Sequence, residues 1–138
     1  MPKINESELK KEIKSGDFKN AYLLYGEESY LKEYYASELK NKIVDKTFEA
    51  FNFHYFDGKD TELDDILKDA QMLPMMSEYN FVMVKDYPIE KSANDIKLLE
   101  EYLKDAPDTT VFVFWFDAIE PDVKSAKFKK VIKAFEKA

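Results

Sequence analysis

The chain of 138 residues contains no cysteine. A disulfide framework, a thiolate nucleophile and a cysteine-based metal site are therefore excluded. It contains no arginine either, since all 21 basic residues are lysine. No arginine finger and no guanidinium fork is available to grip a phosphate. Histidine occurs once, as His54, and no histidine–glutamate spacing or carboxylate cluster builds a metal site. No apolar run is long enough to span a membrane and no signal peptide opens the chain, which predicts a cytoplasmic protein with no membrane partner. Positive charge is in deficit, leaving a formal net charge of -7. So acidic a domain is by itself a poor electrostatic partner for nucleic acid.

What the chain has in quantity is aromatic residues, with 9 tyrosines and 11 phenylalanines, most of them expected in a core. Its length suits one domain that needs no covalent staple. Helical and strand-like patterns alternate. Asn5 reads as an N-cap with Glu8 three residues on, and Ile4 and Leu9 are placed for a hydrophobic staple. That helix ends near Gly16. Residues 21–25 and 51–56 read as strands, the second stopping at Asp57-Gly58. A helix from about Glu28 to Asp45 lies between them, with Leu31, Tyr35, Leu39 and Ile43 on one face. Leu63, Ile66, Leu67 and Ala70 form another stripe. Residues 81–84 and 110–116 are strand candidates, the latter apolar on both faces. Ile96, Leu99 and Leu103 mark one helix, and Phe128, Val131, Ile132 and Phe135 a last one.

Each link between strands is long enough to hold a helix, so the strands are expected to run parallel. Continuous apolar strands between helices predict an α/β three-layer sandwich with a mainly parallel sheet. The final pattern is a lysine-rich helix over 124–138. A parallel sheet would receive another strand after it, so the sequence reads as a domain of a longer protein.

Ligands of such sheets bind beyond the carboxyl ends of the strands. After the first strand stands Tyr25-Gly-Glu-Glu-Ser-Tyr-Leu31. A phosphate-binding loop there needs a run of backbone N–H groups, a lysine and a hydroxyl for magnesium. This one is short and lacks the Gly-Lys-Ser/Thr ending, and Glu27 and Glu28 would repel a triphosphate. They read better as first-turn acids favouring a helix dipole. After the third strand comes Asp86, an acid that could in principle hold a metal, but no second acid follows it. His54 lies mid-strand between aromatics, where a structural role outweighs general-base work. Asp64-Asp65 and Glu100-Glu101 point to different helix faces and read as solvated. Trp115, in the most apolar strand, reads as core or subunit contact. No catalytic, nucleotide-binding or metal residue and no cofactor is assigned.

The stretch Gln71-Met-Leu-Pro-Met-Met-Ser-Glu-Tyr-Asn-Phe-Val-Met-Val84 stands apart. A helix runs into Pro74, two methionines follow at once, and a strand begins soon after. Met75 and Met76 therefore fall in a short turn. Loops run over the surface, where adaptable apolar side chains suit a partner's pocket. The alternative is that both tuck back under the sheet.

Residues 21–31, then Phe56-Asp57-Gly58, then 70–86 together resemble the delta subunit of bacterial DNA polymerase III, and the resemblance spans essentially the whole chain. It implies an AAA+-like, P-loop-type fold that neither binds nor hydrolyses ATP. Residues 1–138 would be the N-terminal, clamp-binding domain of that subunit, without its small lid domain and C-terminal collar domain. The implied function is to bind the beta sliding clamp and help open it for loading onto DNA, as part of the DNA-directed DNA polymerase III holoenzyme. The family's clamp-binding element is an apolar pair in the turn after its third helix, which maps onto Met75 and Met76, flanked by Leu73 and Pro74. Many members carry a pair such as Leu-Phe there, so Met-Met is a departure. Contacts with the other loader subunits, delta prime and gamma/tau, would run through the absent domains, and DNA would be met only by the whole complex. Two other readings stay open: a degenerate P-loop ATPase, and an interaction module unconnected with replication.

Overall fold

The computed structural model describes residues 6–25, 29–119 and 121–136. Four strands form one parallel sheet: β1 (Ala21–Leu24), β2 (Phe53–Asp57), β3 (Asn80–Lys85) and β4 (Thr110–Trp115), in the order β1-β4-β3-β2. Helices fill the links: α1 (Glu6–Ser15) before the sheet, α2 (Ser29–Ile43) after β1, the single turn α3 (Glu49–Asn52) before β2, α4 (Leu63–Ala70), α5 (Ala93–Lys104), and α6 (Ala126–Glu136) after β4.

Burial follows strand position. Central β4 is buried at every residue, while edge strand β2 is mostly half-buried or exposed. A strand covered on both faces needs apolar residues at both parities, which is why Thr110-Val-Phe-Val-Phe-Trp115 does not alternate. The register aligns Phe53 with Phe81 and Phe81 with Val111 on the face that α2 covers. There Phe53 stacks on Phe81, and Lys40 of α2 lies over the Phe53 ring. On the other face Phe112 packs against Tyr102 of α5 and Phe135 of α6, and Phe114 also meets Phe135. The three-layer α/β sandwich with a parallel sheet is thus the observed architecture.

Boundaries differ from the sequence reading in instructive places. Phe51 and Asn52, expected in the second strand, belong to α3. The Phe53 N–H donates to the Glu49 carbonyl and closes a helical turn. Aromatics at 51, 53 and 55 mimic a strand period, but the ladder begins only at Phe53. The last helix starts at Ala126, because the Ser125 hydroxyl accepts from the Phe128 N–H and caps it. Gly16, just past α1, has φ +82°, the left-handed conformation glycine tolerates best. The expected N-cap at Asn5, Ile4 and the Gly26-Glu27-Glu28 loop lie outside the described residues, so the cap and staple are not described, while Glu8 falls within α1. Leu9, the other half of the expected staple, is buried.

Gly58 continues the β2–β3 pairing by one residue, its N–H donating to the Lys85 carbonyl at 2.7 Å. A Cβ there would lie 2.3 Å from the Tyr87 Cα and 2.4 Å from its N. Both are backbone atoms, so the strand end must move. Gly58→Ala is expected to lower stability by about 3 kcal/mol, read from urea unfolding. An unchanged midpoint would show that the two segments separate freely.

Candidate functional site

The turn between α4 and β3 sits at the amino ends of β2 and β3, the opposite edge of the sheet from the strand ends where a nucleotide would bind. Its shape is set by polar side chains from three elements. Asn52, the last residue of α3, is only 1% exposed. Its Oδ1 accepts from the Met75 N–H at 2.6 Å, and its Nδ2 donates to the Met75 carbonyl at 2.7 Å. One amide therefore satisfies both main-chain groups of Met75, as a neighbouring strand would. Asn80, the first residue of β3, donates through Nδ2 to the carbonyls of Asp69 and Met72. The Thr110 hydroxyl donates to the Ala70 carbonyl at 2.9 Å. These bonds close the C-terminal end of α4, whose last carbonyls have no intrahelical donor.

With its backbone tethered, the turn turns its apolar side chains outward. Met72 is 49% exposed, Leu73 77%, Met75 54% and Met76 81%, with Pro74 half-buried between them. Phe51, adjacent to Asn52 in α3, is exposed as well. Met76 has φ +56°. A non-glycine residue held there costs about 1 kcal/mol, and such conformations collect at functional positions. Of the two placements the sequence left open for Met75 and Met76, the exposed one is observed.

His54 lies in β2 beside the C-terminal half of α4. Its Nδ1 lies 3.4 Å from an Asp69 carboxylate oxygen, linking β2 to α4. Asn52→Ala is expected to cost about 2 kcal/mol of stability, because two hydrogen bonds to one buried residue disappear. Asn52→Asp should do no better, since a carboxylate oxygen would then face the Met75 carbonyl. Chemical denaturation of both variants checks this, and wild-type stability in either would mean water replaces the amide without loss.

At the carboxyl edge, Asp86 follows β3 with φ +56° and 2% exposure. Its Oδ1 accepts from the N–H groups of Asp117, Ala118 and Ile119 at 2.7, 3.1 and 3.2 Å. Burial pushes its pKa up, but those three N–H groups and nearby Lys59 outweigh it and hold the carboxyl below its ordinary value. The acid weighed as a lone metal ligand is thus spent on pinning the loop after β4. Among the described residues no cluster of three histidine, aspartate or glutamate side chains is arranged to hold a metal. Asp64, Asp65 and Glu101 are exposed and Glu100 is half-buried. Trp115 is buried, with the Lys85 ammonium 5.3 Å from its ring centre. No helix among the described residues is long and apolar enough to cross a membrane.

The sequence reading singled out the methionines, weighed Asp86 only as a lone metal ligand, and missed Asn52 and Asn80. Placed in a strand, Asn52 would have been one polar residue between aromatics. Only its position at the end of a helical turn aims it at Met75.

The family described as DNA polymerase III, delta subunit, matches residues 22–138. The chain belongs to that family. It is 32% identical over 134 residues to DNA polymerase III subunit delta of Bacillus subtilis, covering 92% of this chain and 38% of that protein. Among solved structures, the Bacillus subtilis DNA clamp loader delta protein superposes with a TM-score of 0.78 at 28% identity, over 93% of this chain and 40% of that one. A DNA polymerase III gamma subunit-related protein from Thermotoga maritima shares the fold with a TM-score of 0.62 at 17% identity, over 93% and 42%. The delta-family chain thus carries the AAA+-like architecture and spans about two fifths of these relatives' length.

Proposed function

We propose that this chain is the N-terminal, clamp-binding domain of a clamp loader delta subunit, and that it grips the beta sliding clamp through Leu73, Pro74, Met75 and Met76. The observation that carries this reading is an apolar turn whose backbone is tethered by Asn52 while its side chains are left in water. A core does not leave such side chains outside, whereas an apolar pocket on a partner would cover them. Fully burying two methionine side chains supplies about 3–6 kcal/mol before association costs. That is enough for the centre of a modest interface, with flanking residues excluding water. The domain's role is then to hold the clamp and favour its open form during loading. Contacts with delta prime and gamma/tau, and with DNA, are assigned to the parts of the relatives beyond the matched segment.

Titrating the domain against the sliding clamp of the same organism tests this. Saturable binding in the micromolar range is expected. If apolar burial dominates, affinity changes little between low and physiological salt. Lys124, Lys127, Lys129 and Lys130 are all exposed. Neutralising them should leave affinity within about fivefold. Absence of binding at about 100 µM, a weak limit for a specific contact, would overturn the proposal. A steep loss with salt would move the contact to the lysines.

A further inference from the structure

The protein holds five methionines and no cysteine, so methionine is its only sulfur. Met1 lies outside the described residues. Of the other four, Met83 is in the middle of β3 and 5% exposed, while Met72, Met75 and Met76 are all exposed and fall within five consecutive positions of one turn. Among the described residues, every solvent-accessible thioether therefore sits on the surface assigned above to the partner. With no thiol present to react first, a two-electron oxidant in solution meets these three sulfurs. The hydrogen bonds that hold this turn reach its main chain from Asn52 and Asn80 and not the methionine side chains.

We propose that Met75 and Met76, with Met72, form a reversible oxidation site for peroxide, and that sulfoxide formation releases the partner. The inference rests on the docking role proposed for this turn. The thioether sulfur attacks one peroxide oxygen, the O–O bond breaks and an S–O bond forms. The sulfur loses two electrons, and the second peroxide oxygen leaves as hydroxide and takes the proton from the transferred OH to become water. Thiol-dependent methionine sulfoxide reductases reverse the step. The product is polar and no longer fits an apolar pocket, because its oxygen would be buried without a donor.

The test is brief treatment of the domain with hydrogen peroxide, removal of the oxidant, and mapping by mass spectrometry. Fragmentation of the tryptic peptide Asp69–Lys85 should place oxygen on Met72, Met75 and Met76 and leave Met83 unmodified. Oxidation of Met83 as fast as of the other three would overturn the site. The oxidised domain should keep its melting temperature yet bind the untreated sliding clamp about 30-fold more weakly, and reductase treatment should restore binding. Unchanged affinity after complete oxidation would overturn the release. In a Met72→Leu, Met75→Leu, Met76→Leu variant the turn carries no sulfur, so peroxide-treated and untreated samples of that variant should bind the clamp alike, whatever affinity leucine leaves it. Sensitivity persisting in that variant would also overturn the assignment. If Met75→Ala with Met76→Ala binds normally, the docking role itself fails. If that variant loses binding while the oxidised wild type does not, only the oxidation proposal fails.

Discussion

Met75→Ala combined with Met76→Ala is expected to abolish detectable binding to the sliding clamp and to leave the fold intact. In the free domain both side chains are mostly in water, so truncation removes little buried area. In a complex they would lose about 3 kcal/mol or more together, a loss of at least a hundredfold in affinity. The melting temperature should stay within about 3 °C, since surface substitutions are usually worth less than half a kcal/mol each. Met76→Gly sharpens the experiment. Glycine accepts φ +56° without steric penalty, so this variant should be as stable as the wild type while binding more weakly. Both measurements belong on the same samples. A double variant that melts far earlier would mean the methionines serve the core, and the docking assignment would fall with it.

Asp86→Ala should lower stability about as much as Gly58→Ala, by about 3 kcal/mol or near 10 °C in melting temperature for a domain of this size. Three backbone N–H groups lose their acceptor at once, and the loop over residues 117–119 loses its anchor to β3. The sign with pH follows from the direction of the shift. Because the folded carboxyl sits below its ordinary value, the unfolded chain takes up the proton first on acidification. The contribution is fully present above about pH 4, the ordinary aspartate range, and is lost as pH falls through the lower, folded value. Asp86→Asn keeps an oxygen for the N–H groups but not the charge, so its stability profile should be flatter in that acid window. An acid limb identical to the wild type's would place the charge effect elsewhere.

Much of this organisation was legible in the sequence because it depends on period and composition. Leu63, Ile66, Leu67 and Ala70 recur at helical spacing and are all buried in α4. The unbroken apolar run of 110–115 announces a central strand, and parallel neighbours need links long enough for helices, which every link here is. Pro74 and the two methionines beyond it mark a turn whatever the fold. Where the residues between elements point was beyond that reach. Phe51-Asn-Phe53 has the same alternation in a strand as in a helical turn entering one, and only packing chose the latter. Whether Met75 and Met76 turn inward or outward depended on a hydrogen-bond partner 23 residues earlier. The carboxylate of Asp86 likewise reaches N–H groups some 31–33 residues later. Local periodicity reports which face of an element is apolar, because that face must meet some core. It carries no information on which distant polar group will satisfy a turn's backbone, and here that choice decides which side chains are left for a partner.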